Sequence, residues 1–177
     1  MEHARAAHAG DIGEIALLAQ LLLDELEPTR GGGIWARRER RDGPYESAYG
    51  ALLERDDTFV VVGTVHDVVV GFGVVLLETL RDGGVLGVVS DLFVHPEARS
   101  VGVGEAMVDQ IVAFCTEHHC VGIDALVLPG HRAAKNFFEE SGFTARALVM
   151  HHKPVPMPEA GAPEAGAPEL GAPEPGA

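Results

Sequence analysis

Arg99, Gly102 and Gly104 are the residues whose types and spacing speak most directly of chemistry. They close the run Asp91-Leu-Phe-Val-His-Pro-Glu-Ala-Arg-Ser-Val-Gly-Val-Gly104. A short apolar strand there runs into Pro96, and an Arg-x-x-Gly-x-Gly turn then opens into an amphipathic segment. Glycines at 102 and 104 let the backbone turn tightly and leave its N–H groups uncovered by side chains. The helix that follows points its positive dipole end at the same spot. Backbone donors and a helix N-terminus together form a cradle for an anion, most naturally a diphosphate. Arg99 at its mouth adds a fixed charge with a planar fork of donors.

The elements that must position this loop read as an alternation of strands and helices. A strand near residues 2–7 precedes Asp11, an N-cap for a helix over 12–26 that carries Ile15, Leu18, Leu22 and Leu26 on one face. Pro28 and Gly31-Gly32-Gly33 end it, and Pro44 opens a second helix over 44–54. Three β-rich runs follow, Thr58–Val65, Val68–Thr79 and Val85–Val94, joined by His66-Asp67 and by the turn Arg81-Asp-Gly-Gly84. Val108, Ile111, Val112 and Cys115 keep helical spacing after the glycine loop. A strand over Val121–Leu128, a helix over Arg132–Ser141 stopped by Gly142, and a final strand over Ala147–Lys153 complete the pattern. Antiparallel hairpins followed by a βαβ-like crossover predict a mixed α/β sheet.

Charge and composition narrow the partners. Asp and Glu number 27 against 13 Lys and Arg, a net charge of −14. Nucleic acid and an anionic membrane surface both require a basic face, so neither is expected. Cys115 and Cys120 stand five apart beside His118 and His119, which is not a zinc spacing, so no metal is expected and a reduced, cytoplasmic setting is. The first residues carry Glu2, His3, Arg5, His8 and Asp11 without an apolar core, unlike a signal peptide, and no apolar run is long enough to span a membrane. From Pro158 the unit Pro-Glu-x-Gly-Ala repeats to Ala177, a composition with little to bury. The expected folded domain is therefore 1–153, followed by a disordered tail over 154–177. A dinucleotide-binding Gly-x-Gly-x-x-Gly fingerprint fails, because Met107 holds the third glycine position and seven residues separate Val94 from Gly102.

The loop resembles the Arg/Gln-x-x-Gly-x-Gly/Ala signature of the GCN5-related N-acetyltransferases, the GNAT family. A second motif strengthens the resemblance. His131-Arg-Ala-Ala134-Lys-Asn-Phe-Phe138-Glu-Glu-Ser-Gly142-Phe143 is similar to that family's Asn-x-x-Ala-x-x-x-Tyr-Glu-x-x-Gly-Phe helix. The resemblance covers nearly all of residues 1–153. It implies a mostly antiparallel sheet with a parallel splay, flanked by helices, and acetyl-CoA or another acyl-CoA as cosubstrate. The pantetheine arm would pair with the backbone of Leu92, Phe93 and Val94. The diphosphate would sit on the N–H groups of Ser100, Val101, Gly102, Val103, Gly104 and Glu105, beside Arg99, with His131 and Phe138 also along the cofactor. The implied reaction is acetyl transfer to an amine acceptor by direct attack in a ternary complex. A homodimer is compatible with it.

Three positions depart from the pattern. Phe138 stands where many members carry a Tyr that protonates the leaving thiolate, His131 stands for the Asn, and Leu126 occupies the place of a catalytic Glu in some members. The candidate bases are Asp91, Glu78, His95 and His131. Strand alternation predicts that Asp91 and Phe93 share one face, opposite Ser90, Leu92 and Val94. The cluster Arg30…Arg37-Arg38-Glu39-Arg40-Arg41 reads as a solvated loop, with attraction of an acidic acceptor or the CoA 3′-phosphate as its functional alternative. Trp35 and Tyr45 flank it, either lining the acceptor cleft or pinning the loop to the core. The losses at 138 and 126 also admit a second class of function, a non-catalytic acyl-CoA-binding or regulatory domain.

Overall fold

A computed structural model describes residues 1–154. Within it, contacts separate Met1–Thr144 from the segment that begins at Ala145. Five strands form one sheet in sequence order: β1 (Glu2–Ala6), β2 (Thr58–Val65), β3 (Val68–Thr79), β4 (Val85–Val94) and β5 (Gly122–Ala125). The first four are antiparallel, and β5 runs parallel to β4. The helices are α1 (Ile12–Leu26), α2 (Gly32–Arg38), α3 (Tyr45–Leu53), α4 (Val103–Glu117) and α5 (Arg132–Glu140).

The continuous apolar runs of β2 and β3 are explained by burial on both faces. Val60, Val62, Phe72, Val74 and Phe93 pack against Ile15, Leu18, Leu22, Trp35, Tyr49 and Leu52 of α1, α2 and α3. Val61, Val75 and Val89 point the other way, onto Val103, Met107, Ile111 and Cys115 of α4. Each such fully buried aliphatic side chain contributes about 1.5–3 kcal/mol relative to exposure. The sheet thus has an α1 face and an α4 face, each with its own core.

Four features differ from the sequence reading. Asp11 precedes α1 but makes no side-chain cap; its carboxylate instead takes a two-point bond from Arg5 at 2.7 and 2.8 Å and one from the His8 N–H. The basic segment is not a loop throughout. Gly32–Arg38 is helical, because Trp35 and Ala36 find the α1-face core while Arg37 and Arg38 stay outside. The expected strand over Val121–Leu128 shrinks to Gly122–Ala125, since its pairing with β4 stops at Val89 opposite Ala125, and Leu126 is 55% exposed. The expected strand over Ala147–Lys153 does not form. Residues 145–154 are exposed and take no regular secondary structure. The repeat tail lies outside the described residues.

Candidate active site

The site begins where β4 and β5 part. Past Val89, β4 runs on through Ser90–Val94 with no partner on the β5 side among the described residues. The pairing register passes from Val75 opposite Val89 to Val74 opposite Asp91, so Ser90 is an extra, bulged residue. The bulge reverses the facing of the strand: Val89 packs towards α4, whereas Asp91 and Phe93 turn to the α1 face. Strict alternation would place Ser90 away from Asp91, but its hydroxyl hydrogen-bonds the Asp91 carboxylate at 2.7 Å.

The free edge of β4 has a definite phase. The His95 N–H donates to Val70 O at 2.8 Å, which makes that opposed pair a hydrogen-bonded one. By antiparallel alternation the Phe72–Phe93 pair is bonded as well, and the amides of Leu92 and Val94 point outward into the splay. Of the three residues expected along the pantetheine arm, Leu92 therefore offers both backbone groups and Val94 its N–H, the Val94 carbonyl accepting from Arg99, while Phe93 supplies the strand's attachment to β3.

At the end of β4 the chain turns through His95–Arg99 into the glycine loop. Ser100 and Gly102 both have positive φ, 65° and 92°, a conformation that glycine at 102 adopts without a Cβ penalty. Gly102 is the N-cap of α4 and has no side chain to satisfy the helix, whose first backbone bond runs from the Ala106 N–H to Gly102 O. The N–H groups of Val103, Gly104 and Glu105 thus lack intrahelical partners. A Cβ on Gly104 would lie 3.0 Å from the Phe137 ring, so α5 sits directly against this turn. Exposed donors, a bare N-cap and a helix dipole fit a diphosphate.

Arg99 is not the free cation that the sequence suggests. Its Nε donates to Val94 O at 3.0 Å, its Nη2 to Glu25 at 2.6 Å, and its guanidinium lies over the Phe93 ring. Glu25, on α1, also lies 3.0 Å from His131 Nε2. Burial would raise the Glu25 pKa, but the hydrogen bonds from Arg99 and His131 outweigh it and hold the carboxyl below its usual range. An ionised carboxylate only accepts, so Nε2 of His131 carries the hydrogen here. Glu25 thereby links a residue just past the end of β4 with one just past β5, across the mouth of the splay.

The root of the splay holds a second cluster. Asp91 is 7% exposed and Tyr49 2%. Arg41 donates to Asp91 through Nε at 3.2 Å and Nη2 at 3.1 Å, and to the Ser90 hydroxyl at 2.7 Å. Tyr49 donates to the other Asp91 oxygen at 3.0 Å. Burial first, and the Asp91 charge second, push the Tyr49 phenol far above its ordinary value, so it stays a donor. Arg41 thus leaves the expected solvated loop to neutralise a carboxylate fifty residues away.

The remaining candidates scatter. Glu78 lies exposed opposite Leu86, near the far end of β4 and six residues, or about 20 Å, from Leu92. His95 spends Nδ1 on the Glu97 N–H at 3.3 Å and borders a cleft of about 310 Å³ with Val65, Val70 and Val101. Phe138 is 8% exposed and packs edge-on against Phe137 and Phe143. Trp35 pins α2 to the core. Burial pushes the Cys115 thiol up to about 12, which rules it out as a poised nucleophile. Among the described residues no three His, Cys, Asp or Glu side chains converge to hold a metal ion, and no helix is long and apolar enough to cross a membrane. Sequence reasoning missed Glu25, Arg41 and Tyr49. The one available signal was Asp91 itself, a carboxylate in an apolar strand that needed a cation.

A mixed sheet whose one parallel pair parts beside a glycine-turn helix defines the class of acyl-CoA N-acyltransferase folds. The model of the acetyltransferase (GNAT) family matches residues 18–143, and the chain belongs to that family. Solved structures agree on the fold. A possible acetyltransferase from Clostridium difficile 630 superposes with a TM-score of 0.67 at 21% identity, over 88% of this chain and 98% of that one. The aminoglycoside acetyltransferase meta-AAC0020 from an uncultured soil metagenomic sample, in complex with sisomicin, gives 0.66 at 17% identity over 87% and 95%. AAC(6')-Iy in complex with the bisubstrate analogue CoA-S-monomethyl-acetylneamine gives 0.67 at 14% identity over 88% and 99%. A comparison with curated proteins finds no match.

Proposed function

We propose that this chain transfers an acetyl group from acetyl-CoA to an amine by direct attack in a ternary complex. The observation that carries the reading is the pairing of two sets of open backbone donors, the outward amides of Leu92 and Val94 and the bare start of α4. They are spaced along one continuous stretch, as a pantetheine arm and its diphosphate require. The diphosphate on α4 leaves the α1 face for the acceptor. Structural neighbours that bind aminoglycosides and a CoA bisubstrate analogue support an amine acceptor of this kind.

The neutral amine attacks the thioester carbonyl, a C–N bond forms as the C–S bond breaks, and CoA leaves as thiolate. An ordinary thiol pKa of about 8.5 makes that departure possible without a protein acid, which suits Phe138 at the position of the usual Tyr. The proton lost by the amine passes to water or to a base bordering the splay. Asp91 is a poor choice for that base, because both its oxygens are already engaged; we assign it a positioning role on the β4 bulge.

The test is thiol release from acetyl-CoA over a panel of aminoglycosides, polyamines, amino acids and peptides, with mass spectrometry of the products. Amine-dependent release matched by acetylated product is the expected result. Tight acetyl-CoA binding without release for any amine would instead favour an acyl-CoA-binding module.

A further inference from the structure

We propose that Glu25 is a positioning residue that stands in for the cosubstrate's diphosphate: in the free protein it holds Arg99, and the diphosphate must take Arg99 from it. The inference rests on reading the Ser100–Glu105 turn as the diphosphate cradle. Arg99 opens that turn, and Nε is anchored on Val94 O while Nη2 faces Glu25 at 2.6 Å. A guanidinium held this way presents its fork to one anion at a time. Glu25 satisfies it with one carboxylate oxygen, an anionic acceptor of the kind that a phosphate oxygen also offers.

The bracket is built to yield. Arg99 and Glu25 side chains are 39% and 26% exposed, so the pair is screened by water and worth little on its own. A diphosphate brings more charge and also takes the unpaired N–H groups of α4, so it wins the exchange. Glu25 does not lose its place when Arg99 leaves, because its second oxygen remains hydrogen-bonded to His131. The link that spans the mouth from the end of β4 to the start of α5 is then released at one end only. Glu25 thus taxes cosubstrate binding twice, by occupying Arg99 and by placing a negative charge beside the arriving phosphates.

The test compares CoA with pantetheine, which lacks the diphosphate and nucleotide, by titration calorimetry on the wild-type chain, Glu25→Gln, Arg99→Met and the double variant. Glutamine keeps the size and the acceptor oxygen and removes the charge. The expected result is CoA binding about three- to fivefold tighter in Glu25→Gln, pantetheine binding unchanged, and a smaller gain when Arg99 is already Met, where only the removal of the Glu25 charge acts. Unchanged or weaker CoA binding by a natively folded Glu25→Gln would overturn the inference, as would an equal gain for pantetheine. Failure of the wild-type chain to bind CoA at all would instead overturn the cradle itself, and the inference with it.

Discussion

The splay between β4 and β5 carries a carboxylate with an arginine at each end, and the two pairs have opposite characters. At the root, Asp91 is buried and saturated: Arg41, Ser90 and Tyr49 fill its acceptor sites. At the mouth, Glu25 is part exposed and divides itself between Arg99 and His131. The chemistry of the two ion pairs is the same, and burial separates their roles. A desolvated pair cannot let go of either partner without leaving a naked charge in the core. A hydrated pair can exchange partners at little cost. The root accordingly fixes the bulge that opens the splay, and the mouth is where an incoming anion can be answered.

That contrast can be broken by substitution. Asp91→Ala should cost about 3 kcal/mol, because the buried Tyr49 hydroxyl and the part-buried Arg41 both lose their partner, whereas Glu25→Ala should cost less than about 1 kcal/mol. Urea unfolding of the two variants decides it, and equal losses would erase the distinction between root and mouth. The next largest effect is expected at the cradle. Gly102→Asp puts a carboxylate at the bare N-cap, where it competes for the α4 N–H groups, and acetyl-CoA affinity should fall roughly 10- to 100-fold in calorimetry. Native affinity would remove the diphosphate from this turn. The smallest effect is expected at Phe138 on α5. Phe138→Tyr should retain acetyl-CoA binding and leave turnover equal or a few-fold higher, the added hydroxyl serving as a partial acid. A lower unfolding midpoint with unchanged turnover would assign Phe138 to the Phe137–Phe143 packing alone.

What could be read from the sequence was what short-range physics encodes. The hairpin His66-Asp67 has both residues at positive φ, and β2, β3 and β4 span the runs that their apolar patterns mark. Gly102 takes the left-handed conformation that its place before α4 requires. The bulge at Ser90 had no such marker, since an extra residue in one strand is defined only by its partner; it brought the Ser90 hydroxyl to Asp91, while Asp91 and Phe93 share a face opposite Leu92 and Val94 as counting implied. Arg41 and Asp91 are fifty residues apart, and Glu25 lies 74 and 106 residues from Arg99 and His131. Those pairings exist because tertiary packing brings α1 and the α2–α3 segment over the splay. Composition could count the arginines but not distinguish the one that would meet a buried carboxylate.

The short length of β5 has its own consequence for amide hydrogen exchange. β4 has nine pairings with β3, within a sheet covered on both faces, while β5 has only four pairings and a single strand neighbour among the described residues. Local opening frees amides in proportion to how few such ties must break. The β4 amides bonded to β3 therefore exchange near the global unfolding limit, whereas those of β5 exchange early. Deuterium uptake at Gly122–Ala125 becomes a direct gauge of how far the slot between the two strands breathes, and of how much that motion slows once its contents are in place.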